Sequence, residues 1–267
     1  MRAMSAAASI QRRVRLRVAI GDITRWKAEA IATSANAGLI GNSSPSYWRF
    51  RVPTDGPWLT VGCVNPETST AFNNVDGQVH AAAGPELEQA LTELAQPLRF
   101  KMLGGSGPWR GGVLPSSSDG LVACPAGGAV VTPSFGALRE YCKWVVHAVA
   151  PDGRYVQSKA AAMPILRDTF VSALSKADEA GATSLAVPSI GCGVHNWSAS
   201  HAARCAFDAL EAWRSGGGAV EGGSLERLDV VLREEADWDA WRGRACERFG
   251  EPTDAEEEGA AVWTVGE

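Results

Sequence analysis

A chain of 267 residues with 45% hydrophobic and 21% charged residues has the composition of a globular protein, large enough for one main domain with a substantial core. Its formal net charge is -5, and residues 251–267 hold six acidic residues without Lys or Arg, so the nearly neutral remainder excludes a strongly basic nucleic-acid surface. No apolar run approaches the roughly 18 residues of a membrane span, which excludes membrane insertion as the basis of function.

The N-terminal segment, residues 1–13, is predicted to be flexible. Five arginines and no acid fall within residues 1–17, a pattern that also fits an organelle-targeting segment, and both readings stay open. The six cysteines form no C-x-x-C pair and no dense framework, so we expect reduced thiols. These features predict an intracellular protein, cytoplasmic or nuclear, with organelle targeting as the alternative.

Alternating strands and helices are predicted along the chain. Val14–Ile20 alternates apolar and polar residues with period two, which is typical of a strand with one covered face. Further short, mostly β-branched runs predict strands within 28–35, 121–124, 128–135, 143–151, 183–190 and 227–232. Apolar stripes at helical spacing predict helices over 85–95, 166–180 and 198–213, and a last helix over 234–250.

This alternation predicts an α/β protein: a three-layer α/β/α sandwich around a central mixed, largely parallel sheet. A single domain is expected over residues 14–250, followed by an acidic flexible tail at 251–267. Two long interruptions stand out. Residues 42–72 contain several prolines and large aromatic residues and form an insertion, and residues 97–120 read as a surface loop rich in Gly and Ser.

Four polar or glycine-rich motifs flank the predicted strands. They are "GDIT" with Asp22, "TSANAGLIG" with Asn36, "VDGQVHAAAG" with Asp76 and His80, and "SIGCGVHNW" over residues 189–197. Taken singly, each has an ordinary structural explanation: a turn aspartate, a capping asparagine, a helix-capping aspartate beside a buried histidine, and a glycine loop. In open α/β sheets, however, ligands bind at the carboxyl ends of the strands.

In order and spacing these motifs resemble the macrodomain family, whose members bind ADP-ribose. The resemblance covers residues 14–232 and is most specific in "NNVDGQVHAAAGPEL", which is similar to the MacroD-like branch of ADP-ribosyl hydrolases. It implies ADP-ribose or ADP-ribosylated proteins as partners, with no nucleic acid and no membrane among them. Oligomeric state stays open.

The resemblance implies a role for each motif. Asp22, with Ile23 beside it, matches the adenine-recognising position, where a carboxylate accepts a hydrogen bond from the exocyclic amine. Asn36 matches the asparagine that contacts the distal ribose. The loop that cradles the diphosphate is matched by residues whose backbone faces the ligand: Ser189, Gly191, Cys192, Gly193, Val194 and His195. Trp197 stands where many members carry an aromatic residue near the distal ribose, and two interpretations stay open: a stacking surface for the ligand and a tryptophan of the core.

Asp76 matches the catalytic aspartate of the hydrolytic members, and His80 lies four residues on, on the same helical face. The resemblance therefore implies that Asp76, Asn36 and His80 serve catalysis, with Asp76 orienting a water molecule. Two departures fall beside this centre. Thr33 replaces the first asparagine of the family's N-A-A-N pattern, and the insertion 42–72 replaces a compact glycine-rich segment.

The implied function is binding of ADP-ribose and hydrolysis of its derivatives, either O-acetyl-ADP-ribose or mono-ADP-ribosyl esters on acidic side chains. Two alternatives remain: a non-catalytic reader of ADP-ribosylated proteins, and an ADP-ribose 1″-phosphate phosphatase. No cofactor is predicted. No metal site is predicted either, because no second Cys or His lies between Cys63 and His80 to complete a zinc ligand set.

Overall fold

One eight-stranded sheet organises the protein. The computed structural model describes residues 12–39, 74–95, 124–154, 156, 158–217, 223–257 and 259–266. The strands are β1 Val14–Ile20, β2 Ala30–Ala35, β3 Ala129–Pro133, β4 Trp144–Val149, β5 Ser184–Val187, β6 Arg227–Leu232, β7 Thr253–Glu257 and β8 Ala260–Val265. The helices are α1 Val75–Ala83, α2 Pro85–Ala95, α3 Lys159–Glu179, α4 Ala199–Ala212 and α5 Glu235–Phe249.

The strands lie in the order β3-β4-β2-β5-β6-β1-β8-β7. The five from β4 to β1 pair in parallel, whereas β3, β8 and β7 are antiparallel at the two edges. Parallel neighbours need helical crossovers, which cover both faces of such a sheet. The predicted mixed, largely parallel sheet is confirmed.

Each face of the sheet carries its own hydrophobic core. One face packs against α3, α4 and α5 through large side chains such as Phe170, Phe207 and Trp241. The opposite face packs against α1 and α2, where Val79 and Leu87 meet the strands. This arrangement confirms the three-layer sandwich.

Helix α3 begins earlier in the chain than the sequence pattern indicates. Ser158 caps its N-terminus by accepting a hydrogen bond from the Ala161 backbone N–H at 3.4 Å. Pro164 lies inside the helix but is exposed and close to its start. A proline near the first turn disrupts few backbone hydrogen bonds, so the helix continues through it.

The prediction of an acidic flexible tail at 251–267 is wrong for most of its residues. Strand β8 pairs antiparallel with β1, with Leu16 opposite Trp263, and β7 pairs with β8. Trp263 is buried, and its indole N–H donates to the Gly250 carbonyl at 2.9 Å. Burial of a large aromatic side chain at the sheet edge outweighs the preference of the neighbouring acidic residues for solvent.

Other predicted segments fall outside the described residues. These are the insertion 42–72, the loop 97–120, most of the predicted strand 121–124 and residues 1–11 of the predicted flexible N-terminus. Arg12 also belongs to the predicted flexible segment 1–13, but it is described, and its side chain forms a salt bridge to Asp178 at 3.0 Å. None of the described helices combines the length and the apolar character that crossing a membrane requires.

Glu29 ties three strands together at the amino edge of the sheet. Its carboxylate pairs with Lys143 just before β4 and accepts hydrogen bonds from the Thr183 backbone N–H at 2.8 Å and hydroxyl at 2.9 Å, just before β5. The hydrogen bond from Lys143, followed by those from Thr183, lowers the pKa of Glu29 to about 2. The ionised carboxylate therefore stabilises the register of β2 with both of its neighbours.

We expect Glu29→Gln to lower the free energy of unfolding at pH 7 by about 1 kcal/mol, a discounted figure because solvent screens the exposed Lys143 ammonium. The folded-state pKa is depressed, so this stability is present above the ordinary glutamate range and is lost as pH falls toward 2. Urea unfolding of both proteins at pH 7 and at a pH of about 3.5 measures it. If the two proteins differ in free energy of unfolding by the same amount at both pH values, the ionised Glu29 carboxylate is not the source of the stability.

Candidate functional site

Three of the motifs lie at one edge of the sheet. Asp22 follows β1, Asn36 follows β2 and the 188–197 loop follows β5. These three strands run in the same direction, because β2 pairs in parallel with β5, β5 with β6, and β6 with β1. Across the sheet the order is β2, β5, β6 and β1, so the loop lies between Asn36 and Asp22. Three strand spacings separate β2 from β1, about 14 Å. The carboxyl edge thus presents an elongated row of polar groups.

Asp22 begins a short 3₁₀ turn, Ile23–Arg25, at one end of this row. Its carboxylate accepts hydrogen bonds from the Thr24 backbone N–H at 2.9 Å and the Thr24 hydroxyl at 2.7 Å. The side chain is exposed, whereas Ile23 is buried in the same core cluster as Val79 of α1. Asp22 is therefore an exposed carboxylate on an anchored turn.

Asp76 is held by β2 and does not cap its helix. Asn74 is the cap, since its side chain accepts a hydrogen bond from the Gly77 backbone N–H at 2.7 Å. Asp76 is only 3% exposed, and its Oδ1 accepts a hydrogen bond from the Thr33 hydroxyl at 3.0 Å. The capping explanation for Asp76 is wrong, and Thr33, which departs from the family pattern, fixes the carboxylate by a direct bond.

His80 lies beside Asp76, whereas Asn36 lies in the turn that follows β2. The Nε2 atom of His80 is 3.9 Å from Asp76 Oδ1, and both side chains are buried. Asn36 is 8% exposed, and its Oδ1 accepts a hydrogen bond from the Gly38 backbone N–H at 3.1 Å, which makes a tight turn after β2. The described contacts thus join Thr33, Asp76 and His80 near the carboxyl end of β2.

His147 belongs to this neighbourhood and was missed by sequence reasoning. It lies on β4 opposite Thr33, and its ring is 6.3 Å from that of His80. Its Nε2 is 3.0 Å from the Thr132 hydroxyl of β3. Burial lowers the pKa of His147 to about 3, and nearby His80 contributes to that shift. The available signal was a single histidine inside the otherwise apolar run "WVVHAV".

The glycine-rich loop is shaped by two buried tryptophans. Gly191 has a positive φ of 87°, and a Cβ placed there would lie 2.9 Å from Cδ1 of Trp197. Ser189 accepts a hydrogen bond from the Trp241 indole N–H at 3.1 Å. Helix α4 begins directly after the loop, capped by Ser198. Anions are favoured near helix N-termini, so the loop is suited to a negatively charged group.

The prediction that Trp197 offers a stacking surface to a ligand is not supported. Its ring is 3% exposed in the main core, and its indole N–H donates to the Pro151 carbonyl at 2.7 Å. The ring fills the space that a side chain at position 191 would need, so Trp197 supports the loop from within. Val194 and His195 are half-buried in the loop, and Gly193 is exposed.

The thiol of Cys192 is poorly suited to nucleophilic chemistry. The Ser189 hydroxyl donates to its Sγ at 2.8 Å, and burial raises its pKa to about 11. Burial also lowers the pKa of His195, despite the opposing influence of Asp152. A protonated thiol is a weak nucleophile, so the loop contributes backbone and shape to the site.

Comparison with known proteins places this arrangement in context. A family model described as Macro domain matches residues 64–206, more than half of the chain. A macro domain-containing protein of Streptomyces coelicolor is 28% identical over 224 residues, which cover 84% of this chain and 94% of the relative. An O-acetyl-ADP-ribose deacetylase of Citrobacter rodentium is 27% identical over 196 residues, covering 73% of this chain and 78% of the relative.

Solved structures share the same fold. A variant of the Oceanobacillus iheyensis macrodomain with ADPR has a TM-score of 0.58 at 22% identity, over 87% of this chain and 92% of its own. The Trypanosoma brucei macrodomain in complex with ADP-ribose has a TM-score of 0.53 at 18% identity, over 87% of this chain and 68% of its own. The three-layer sandwich is therefore a fold that these solved macrodomain structures share.

We expect Gly191→Ala to destabilise the protein by about 1 to 3 kcal/mol, because a Cβ meets the Trp197 ring and the left-handed backbone disfavours alanine. Gly193→Ala is the matched control, since a Cβ there has no heavy atom within 4 Å and its φ is not in the left-handed region. Thermal unfolding of the two variants beside the wild type measures the effect. Equal melting temperatures for the two variants would show that the loop is not held as described.

Proposed function

Because this chain belongs to the macro domain family, we propose that it binds ADP-ribose along the carboxyl edge of the sheet and hydrolyses an ADP-ribosyl ester. The family assignment agrees with the motifs read from the sequence. Relatives named macro domain-containing proteins carry no stated reaction, and the name of the Citrobacter rodentium relative points to ester hydrolysis. The proposed substrates are O-acetyl-ADP-ribose and mono-ADP-ribosyl esters on acidic side chains.

The main support for hydrolysis is the buried environment of the Asp76 carboxylate. A carboxylate 97% buried is costly unless it is paired, and here the described contacts include the Thr33 hydroxyl and His80. It is not the helix cap, so its burial needs another reason. A carboxylate oriented beside the end of a central strand is suited to act as a general base.

The order of groups across the sheet supports one orientation of the ligand. Adenine would lie at Asp22 beyond β1, the diphosphate at the loop after β5, and the distal ribose at Asn36 and Asp76 beyond β2. This order, set by the strand positions, is also the order of the three parts in ADP-ribose. Backbone N–H groups and the α4 dipole would hold the diphosphate, which is consistent with a loop that lacks Lys and Arg.

The proposed chemistry uses a water molecule as the nucleophile. Asp76 accepts a hydrogen bond from the water and takes up its proton as the water oxygen attacks the ester carbonyl carbon. The tetrahedral intermediate then collapses, the bond from the carbonyl carbon to the ribose oxygen breaks, and that oxygen receives the proton. The products are ADP-ribose and a carboxylic acid, and Asn36 and His80 hold the distal ribose during the reaction.

We expect Asp76→Ala to abolish hydrolysis of O-acetyl-ADP-ribose, lowering kcat by about 100-fold or more because the general base is lost. Asp76→Asn, which keeps the shape of the side chain, should be similarly inactive. Product release followed by chromatography measures turnover, and calorimetry with ADP-ribose checks that both variants still bind.

Two other results would redirect the assignment. A wild-type protein that binds ADP-ribose yet leaves esters and the 1″-phosphate unchanged is a reader of ADP-ribosylated proteins. Release of inorganic phosphate from ADP-ribose 1″-phosphate, with esters left intact, identifies the phosphatase. No binding of ADP-ribose at millimolar concentration removes all three functions.

We expect Asp22→Ala to weaken ADP-ribose binding by about 1 to 3 kcal/mol, because a charged hydrogen-bond acceptor for the adenine amine is lost. Asp168→Ala is the control, since it removes an exposed carboxylate of α3 that is not among the proposed ligand contacts. Calorimetric titration of both variants compares the affinities. Unchanged affinity in Asp22→Ala would mean that adenine is recognised elsewhere.

A further inference from the structure

Three side chains capable of binding a metal ion converge beneath the carboxyl edge of the sheet. Asp76 and His80 come from α1 and His147 from β4, and one potential ligand atom of each lies within 4.8 Å of the others. Ligands around a single ion at bond lengths of about 2.1 Å are separated by roughly 3 to 4 Å. The three potential ligand atoms are therefore already close together, and small side-chain movements would bring all of them within bonding distance of one ion.

The cluster is enclosed within the protein. His147 is fully buried, and Asp76 and His80 are 3% and 6% exposed. Nδ1 of His147 has no hydrogen-bond partner among the described residues. Leaving a buried polar atom unpaired is unfavourable, whereas a metal ion would give that nitrogen a partner. The unpaired nitrogen of a fully buried histidine in this cluster therefore favours a bound ligand.

Neighbouring hydroxyl groups support two of the three donors. The Thr132 hydroxyl lies 3.0 Å from His147 Nε2 and can accept a hydrogen bond from the Nε2–H, which leaves the lone pair of the ring on Nδ1. Thr33 donates to Asp76 Oδ1 at 3.0 Å. Metal-binding histidines commonly donate their second ring N–H in this way, and ligating carboxylates are commonly hydrogen-bonded.

We propose that Asp76, His80 and His147 form a binding site for one divalent first-row transition-metal ion, such as Zn²⁺ or Fe²⁺. Two imidazoles and one carboxylate suit these ions, whereas Mg²⁺ and Ca²⁺ prefer oxygen ligands. Three protein ligands leave at least one coordination position for water. Nothing in the sequence indicates this cluster, because His147 is distant from α1 in the chain and comes close to it only through the pairing of β4 with β2.

The metal site is tested separately from the proposed hydrolysis, because metal binding is measured without ADP-ribose. Asp76 cannot take up a proton from water while it ligates an ion, so the metal-bound form and the hydrolytic form proposed above are alternative states of these side chains. Untagged protein is stripped with a chelator and titrated with Co²⁺, which reports its environment through visible absorption. We expect about one bound ion per chain, displaced by Zn²⁺, together with an increase in melting temperature. Absence of binding to either ion up to about 1 mM overturns the site.

Variants test the assigned ligands. His80→Gln and His147→Gln should each weaken Co²⁺ binding by more than about 100-fold, since loss of even an outer partner costs roughly 10- to 100-fold. His201→Gln removes a histidine of α4 outside the cluster and should bind as the wild type does. If His147→Gln does not fold, the His80→Gln variant and the wild-type titration still test whether the cluster binds the ion.

Two outcomes of the Co²⁺ titrations overturn the proposal. A sulfur-to-cobalt charge-transfer band would place the ion on a cysteine, and Cys192 and Cys246 are the half-buried thiols of the described chain. Binding retained in both histidine variants would place the ion elsewhere. A low-intensity visible band without sulfur charge transfer, lost in both histidine variants and kept in His201→Gln, is the supporting result.

Discussion

Parallel pairing of the five central strands is the constraint on which the rest of the molecule depends. Because β1, β6, β5, β2 and β4 run in the same direction, all of their carboxyl ends meet at one edge. Residues that follow different strands, and that are far apart in the chain, become neighbours there. The amino edge is held in register by Glu29, so the geometry at the carboxyl edge depends in part on a contact at the opposite side of the sheet.

The polar cluster beneath α1 shows how the core accommodates chemistry. Thr33, Asp76, His80, His147 and Thr132 occupy one layer between the sheet and the helix, and their mutual contacts offset the cost of burying polar groups. His147 stays neutral because water is excluded around it. A layer of this kind positions side chains well, because each rotamer is limited by its neighbours.

The glycine-rich loop is ordered by contacts with the main core. Trp197 fills the space beneath Gly191, and Trp241 donates to Ser189, so aromatic side chains from the core hold the loop on either side. Residues that resemble ligand contacts in sequence thus divide into two groups. Gly193 is exposed at the loop surface, whereas Trp197 gives the loop its shape from inside.

Local sequence signals determined the elements of this protein. The period-two pattern of Val14–Ile20 and the apolar stripes of α2 and α4 predicted their structures, because backbone geometry alone sets those periods. The motifs likewise indicated Asp22, Asn36 and Asp76, but only through their joint order and resemblance to a known family, since each residue taken singly has an ordinary structural explanation. Strand β8 was missed, although "AAVWTV" is rich in β-branched and aromatic residues, because the acidic run before it suggested a solvated tail.

Only the tertiary structure decided which of these residues lie near one another at the carboxyl edge of the sheet. Chain order places Asn36 between Asp22 and the glycine loop, whereas strand order places the loop between Asp22 and Asn36. His147 joined the cluster because β4 pairs with β2, and no spacing along the chain connects it to α1. Sheet pairing is a long-range interaction between segments distant in sequence, so its partners are selected by packing of the whole domain and not by any local pattern.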